Sequence, residues 1–369
     1  MTILSVILPT YNVEHFVEDC IRSVEEQDID RRDYEIVVVD DGATDGSAAR
    51  VLELQQEYEN IILLRQMNAG LSAARNRGIR AAKGKYLLLI DPDDRVEKNC
   101  FAAMLAVAES HEDIDFVGFS YNIHYNSGLV TTQRVGTLGS AVIDGVEYYE
   151  KHVAGDYHIW RYLFSREFLI RNNLFFLDGI SFEDVEFLPR LMYAAQRAAC
   201  HDLAFYHYHL RPGSISTVKS AKHITSRLIA AENLHRFKLE KIGGSSSEAR
   251  TMFDDVVAEC LLSAVSSSHD FPSLLGSVSK RIRCLPFYPM ELAVHSRHRW
   301  EMGILNRSIR LFWVYSYASS VMGAIRRKIA TVAAIARGPA AAAKFIDYLL
   351  RLIQRDRSGH RGSAGPPHR

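Results

Sequence analysis

Apolar and polar positions alternate between two periods along the first hundred residues. Leu4-Ser5-Val6-Ile7-Leu8 is a short apolar run closed by Pro9, which predicts a buried strand. From His15 to Gln27, Phe16, Val17, Cys20, Ile21 and Val24 recur at the spacing of one helix face. Glu35-Ile36-Val37-Val38-Val39 predicts a second strand, closed by Asp40-Asp41-Gly42, and Asp45-Gly46-Ser47 opens a second helix. A third strand is predicted from Ile61 to Leu64, and a helix from Leu71 to Ala82, ended by Gly84. A fourth strand runs from Tyr86 to Ile90 and ends in Asp91-Pro92-Asp93-Asp94. Continuous apolar strands alternating with helices predict an α/β chain with a mostly parallel sheet covered on both faces.

After about residue 115 the pattern changes. Short mixed strands at Phe116–Phe119, Tyr121–Tyr125 and Val130–Val135 predict an antiparallel addition. A helix is predicted from Phe182 to Ala195 and an aromatic strand from Ala204 to Tyr208. Residues 220–300 read as mainly helical, interrupted by Gly243-Gly244-Ser245-Ser246-Ser247. Residues 304–357 read as basic amphipathic helices broken near Gly338-Pro339, followed by a Gly-, Ser-, Pro- and Arg-rich tail of disordered composition.

Charge changes this picture. The 44 basic and 44 acidic side chains cancel, which argues against a nucleic-acid partner. Yet Gly303 to Arg369 holds twelve Lys and Arg against two Asp and Glu, so an acidic body precedes a basic tail. The five cysteines are widely spaced with no CxxC pair, which predicts free thiols of a reducing compartment. The N-terminus shows no secretory leader pattern, and Leu311 to Ile325 is too short for a membrane span.

Open α/β sheets bind ligands at the carboxyl ends of their strands. Here those ends carry Pro9-Thr10-Tyr11-Asn12, Asp40-Asp41 and Asp91-Pro92-Asp93-Asp94. The last places three carboxylates within four residues. Such a cluster either takes a hard divalent cation or forms a solvated acidic turn with Asp94 capping a helix over Val96–Ala108. Asp41 is placed either to accept hydrogen bonds from a ribose or base, or to cap its own turn. The run from Asn68 to Gly78 opens a helix with small residues and carries Arg75 and Arg77. It suits either close approach of a phosphate or tight helix–sheet packing with exposed arginines. No GxxxxGK[ST] occurs, and no GxGxxG follows the first strand.

Val6 to Asn12, Val38 to Ser47, Asn68 to Gly78 and Ile90 to Asp94 closely resemble, in wording, order and spacing, the family 2 glycosyltransferases. The likeness covers residues 3 to about 120. It continues more weakly through Phe182-Glu183-Asp184-Val185-Glu186-Phe187 and the segment Tyr206 to Ile215. The resemblance implies a GT-A fold and metal-dependent, inverting transfer from a nucleotide-sugar, usually a UDP-sugar. By position, Pro9, Thr10 and Tyr11 would cradle the uridine, with Glu14 also touching it. Asp41 would bind the uracil, and Arg75 would lie near the nucleotide. Asp91 and Asp93 would form the DxD, with Asp93 the more direct ligand of Mn²⁺ or Mg²⁺. Asp184 would be the base and Glu183 its acidic neighbour on the acceptor side. His207 or His209 would complete the metal shell or simply sit in an aromatic strand, and Arg211 would clamp a phosphate. Segments 120–135 or 207–216 are candidates for excluding water.

The expected division is a GT-A domain at 1–218, with a nucleotide-sugar half at 1–115 and an acceptor half at 116–218. A helical region at 219–302, basic helices at 303–357 and a tail at 358–369 follow. The basic helices would either lie on an anionic membrane surface or pack on the acidic body. The first option suits a cytoplasmic enzyme, peripheral at the inner face of the membrane, with a saccharide or lipid-linked acceptor. A sugar nucleotidyltransferase and a non-catalytic nucleotide-sugar-binding module are the alternatives. The former would want a Gly-rich basic loop after the first strand, which Pro9-Thr10-Tyr11-Asn12 does not provide.

Overall fold

The computed structural model describes residues 2–337 apart from 140, 154, 212–217, 219, 243–246 and 294–295, with side chains as far as residue 323. The first half alternates as the periodicity predicts. In order come β1 (Leu4–Thr10), α1 (Val17–Glu25), β2 (Tyr34–Asp40), α2 (Ser47–Glu57), β3 (Ile61–Arg65), α3 (Leu71–Ala81) and β4 (Tyr86–Leu89). Then follow β5 (Arg95–Val96), α4 (Phe101–Glu109), β6 (Phe116–His124), β7 (Val130–Gln133), α5 (Gly145–Tyr148), β8 (Tyr162–Ser165) and α6 (Arg166–Arg171). The body continues with α7 (Glu183–Ala194), β9 (Ala198–His209), α8 (Ala221–Lys241), α9 (Ser247–Ser267), α10 (Leu275–Arg283) and α11 (Arg299–Arg307).

Among the described residues, nine strands form one sheet in the order β3-β2-β1-β4-β8-β6-β9-β5, with β7 paired to β6. β1 lies between β2 and β4, parallel to both, and β2 is parallel to β3. Every residue of β1 and β2 is buried, as an apolar run between two helical layers requires. Helix α3 lies so close to β1 that a Cβ on Gly78 would come within 2.3 Å of Ile7 Cγ2. The small residues of α3 therefore serve helix–sheet packing, and Arg75 is buried with them instead of exposed.

Three expectations are corrected. The addition is mixed: β6 runs antiparallel to β7 and β8 but parallel to β9. Its two predicted strands are one, bent where the register against β9 shifts near Ser120. Asp94 does not cap a helix, because β5 intervenes and α4 begins only at Phe101. Gln27 Oε1 accepts from the amides of Cys100 and Phe101, and Asp28 Oδ1 from Ala102.

Residues 1–306 form one compact unit, and a second begins at Arg307, carrying α12 (Ile309–Arg337). The Gly-rich break at 243–246, the break at Gly338-Pro339 and everything after it lie outside the described residues. No described helix is long and apolar enough to cross a membrane. All five cysteines are free, four of them buried and Cys284 exposed.

Candidate active site

The loops after β1 and β2 are stitched together. Asn12, held at φ 51°, accepts from the Thr44 amide at 2.9 Å, and Glu14 Oε2 accepts from the Gly46 amide at 3.0 Å. Asp45 returns the bond by accepting from the Glu14 amide. Thr10 is buried at the end of β1, whereas Tyr11 is exposed. Asp41 is buried and joins the third loop. Its Oδ1 accepts from Gln66 Nε2 and the Ala69 amide, and its Oδ2 from the Gly70 amide, each at 2.8 Å. Gly42 permits the turn beside it, at φ 73°.

The Asp91–Asp94 turn meets β9 from the far side of the sequence. Tyr206 Oη accepts from the Asp91 amide and donates to Asp94 Oδ2 at 2.9 Å. Asp94 Oδ1 accepts from the His209 amide at 2.8 Å. Arg211 approaches Asp93 and Asp94 at 3.7 and 3.8 Å and lies over the Phe16 ring. Burial, then Asp94 and Asp91, push the Asp93 carboxyl up to about 7.

Arg75 joins this turn to the acceptor-side pair. Its Nη2 donates to Asp91 Oδ1 at 2.7 Å and its Nη1 to Glu183 Oε1 at 2.5 Å. The guanidinium is buried against the Phe176 ring, so its charge is spent on the two carboxylates. Arg75, which the resemblance places near the nucleotide, links the turn after β4 to the start of α7. Phe182, at φ 58°, turns the chain into α7, where Glu183 is buried and Asp184 is partly buried. Burial raises the carboxyl pKa of Glu183 and of Asp184, with Arg75 drawing both back and His158 acting on Asp184.

The donor set bears on the expected cation. Among the described residues no three His, Cys, Asp or Glu side chains are arranged to hold a metal by themselves. Asp91 is engaged by Arg75, and Asp94 by Tyr206 and His209. Asp93 has Arg211 at 3.7 Å and the like charges of Asp94 and Asp91 beside it. The buried Nδ1 of His209, 3.6 Å from Asp94, has no hydrogen-bond partner among the described residues. One or two protein oxygens completed by phosphate and water is the usual shell of Mg²⁺, so these residues fit such an ion. His207 is otherwise occupied: its Nδ1 pairs with His124 Nε2 at 2.8 Å and its Nε2 with Glu97 at 3.1 Å. Of the two histidines, only His209 remains next to the acidic turn.

Sequence patterns did not single out the segment Asp156 to Arg161. Asp156 accepts from Arg161 Nη1 at 2.6 Å and from Tyr121 Oη at 2.8 Å, and pairs with His158 Nδ1 at 2.5 Å. Trp160 stacks on Tyr206 with centroids 4.1 Å apart. The density of aromatic and ionisable residues from Tyr157 to Tyr162 was the one available signal.

Residues 5–173 match the model of the family described as glycosyl transferase family 2. Over 222 residues the chain is 34% identical to the uncharacterized glycosyltransferase EpsJ of Bacillus subtilis, which covers 58% of this chain and 63% of that protein. It is 28% identical to the minor teichoic acid biosynthesis protein GgaB of the same organism, over 59% of this chain and 24% of that one. The solved structure of residues 1–349 of S. aureus TarS in complex with UDP-GlcNAc superposes with a TM-score of 0.64 at 20% identity, covering 88% of this chain and 92% of that one. Residues 5–173 carry a glycosyl transferase family 2 domain, and the fold is that of the GT-A neighbour TarS. It spans less than two thirds of the length of these curated relatives.

Proposed function

We propose that this chain is a metal-dependent, inverting glycosyltransferase. It moves a sugar from a nucleotide-sugar, a UDP-sugar by preference, to a hydroxyl of a saccharide or lipid-linked saccharide. The product would belong to polysaccharide or glycoconjugate synthesis. The observation that carries this reading is Arg75, whose two hydrogen bonds hold Asp91 and Glu183 on one guanidinium. The UDP-GlcNAc complex of TarS and the teichoic acid role of GgaB support the donor and product class.

In this reading Pro9, Thr10, Tyr11, Glu14 and Asp41 form the uridine cradle, which the Asn12, Glu14 and Asp41 hydrogen bonds pre-organise. Asp93, with Asp91 beside it and His209 in reserve, would hold Mn²⁺ or Mg²⁺, and Arg211 would meet a phosphate. When bound, the ion would supply Lewis-acid neutralisation of the leaving diphosphate. Asp184 takes the acceptor's hydroxyl proton as the oxygen bonds to the anomeric carbon from the face opposite the diphosphate. The bond from that carbon to the diphosphate oxygen breaks, its electron pair leaves with UDP, and the configuration inverts. Such a positioned base is worth ~10²–10⁴-fold.

The reading extends to location. The exposed Leu311, Val314 and Tyr317 of α12, in a segment of net positive charge, support a cytoplasmic enzyme held on an anionic membrane surface. The test of function is product identity. Incubation with nucleotide-sugars, Mn²⁺ and saccharide acceptors should release UDP in step with a lengthened acceptor. Pyrophosphate from UTP and a sugar phosphate would instead mark a nucleotidyltransferase. Function that survives Asp184→Asn intact would mark a binding module.

A further inference from the structure

The Asp91–Asp94 turn is closed twice. Its backbone closes where the Asp94 amide donates to the Asp91 carbonyl at 3.0 Å, with Pro92 and Asp93 inside the turn. A side chain 112 residues along the chain from Asp94 closes it again. Tyr206 Oη accepts from the Asp91 amide at 3.2 Å and donates to Asp94 Oδ2 at 2.9 Å. One hydroxyl therefore spans the two ends of the turn, with its proton given to one end and a lone pair to the other.

That oxygen has little freedom to move. Tyr206 is fully buried, and its ring stacks on Trp160 with centroids 4.1 Å and planes 5° apart. Trp160, itself buried, meets Tyr121 at right angles with centroids 4.7 Å apart, and Tyr121 Oη donates to Asp156. Along the backbone, Tyr206 pairs with Val96 of β5, two residues past the turn, and with Tyr121 of β6. Packing alone does not call for the hydroxyl, since phenylalanine would fill the same space beside Trp160. The other contacts of the turn complete a frame: Arg75 holds the Asp91 carboxylate, and the His209 amide donates to the second oxygen of Asp94.

We propose that Tyr206 is a positioning residue for the divalent ion: its hydroxyl sets the spacing of Asp91 and Asp94, and thereby where Asp93 meets the ion. This rests on the reading of Asp93 as an ion ligand. Tyr206 acts through the turn and not on the ion. Without its hydroxyl, the Asp91 N–H and the buried Asp94 carboxyl are each one partner short, and the turn loses its second closure.

The test reads the ion through UDP binding, apart from turnover. Calorimetry on the full chain gives the UDP dissociation constant with and without Mn²⁺, and the ratio of the two measures how far the ion assists. In Tyr206→Phe that ratio should fall by about tenfold, while UDP affinity without the ion stays within about twofold. Tyr34→Phe is the control. It also removes a buried tyrosine hydroxyl, one that donates to Glu25 at 3.0 Å, but from the amino end of β2. It should lower Tm and leave the ratio unchanged. Trp160→Phe keeps the hydroxyl, trims its backing and should lower the ratio by less. Far-UV circular dichroism identifies the folded variants. A native ratio in Tyr206→Phe, or an equal fall in Tyr34→Phe, overturns the role of Tyr206 while leaving the ion reading standing. Should Tyr206→Phe not fold, an unmoved ratio in Trp160→Phe overturns it. A native chain that binds UDP no more tightly with Mn²⁺ than without overturns the ion reading itself, and this inference with it.

Discussion

Arg75 and Glu183 lie 108 residues apart in the chain and share a hydrogen bond of 2.5 Å. The same guanidinium holds Asp91, so one buried side chain fixes the spacing between the donor-side turn and the start of α7. Removing a buried charge that serves two carboxylates leaves both uncompensated. Arg75→Ala should cost about 3–5 kcal/mol, read as a lowered urea midpoint. Arg75→Lys, which keeps the charge but loses the fork, should fall between Ala and the native chain.

Asp184→Asn separates binding from chemistry. UDP affinity should persist while sugar transfer falls by ~10²–10⁴-fold. Stability should respond in the opposite sense. The folded pKa of Asp184 is raised by burial, so its contribution to stability is full below the unfolded value and is lost as pH rises through the folded one. The Asn variant should therefore have a Tm equal to or above the native chain at neutral pH and lose that advantage in acid. Calorimetry at several pH values checks this.

Asp93→Ala removes the carboxyl group of the turn that has Arg211 as its neighbour and is proposed to hold the ion. The rise in Tm produced by UDP should become independent of Mn²⁺ in this variant, whereas in the native chain the ion should enlarge it. Differential scanning fluorimetry with UDP, with and without Mn²⁺, gives the comparison.

Gly78→Ala tests the contact of α3 with β1. A methyl group there meets Ile7 Cγ2 at 2.3 Å, so overpacking should cost about 1–3 kcal/mol. Ile7→Ala in the same chain should relieve part of that loss, which a denaturation series on the two single variants and the double variant would show.

Val314→Glu and Tyr317→Glu place charge on the exposed apolar positions of α12. Co-sedimentation of the full chain with phosphatidylglycerol vesicles should drop in both variants and fall with added salt. UDP binding should be unchanged. Native sedimentation that is absent at low salt would remove the membrane from the proposal.

Local pattern and tertiary placement divided the information unevenly. The strands β1, β2 and β4 were legible because each apolar run is buried by its immediate neighbours, so period and burial coincide. β8 and β5 were not legible. Four residues, Tyr162–Ser165, or two, Arg95–Val96, are too short to show a period, and pairing with β4, β6 and β9 makes them strands. The sense of β9 against β6 was also hidden, since residue types do not encode which distant strand will lie alongside.

The same division runs through the site. The acidic turn and Asp41 stood out in the sequence because strand ends concentrate polar residues where an α/β sheet opens, and the Glu183-Asp184 pair, at the start of α7, stood out through the resemblance. What each carboxylate does depended on its neighbours in space. Asp94 turned from a helix cap into an acceptor for β9, and Arg75 gained Asp91 and Glu183 as partners. His158 acquired its partner Asp156 only in the fold. Charge and hydrogen bonding act through a few ångströms of space, whereas the chain records only order. The sequence alone therefore determined the family resemblance and the inventory of reactive groups, and the tertiary structure decided which of them are partners.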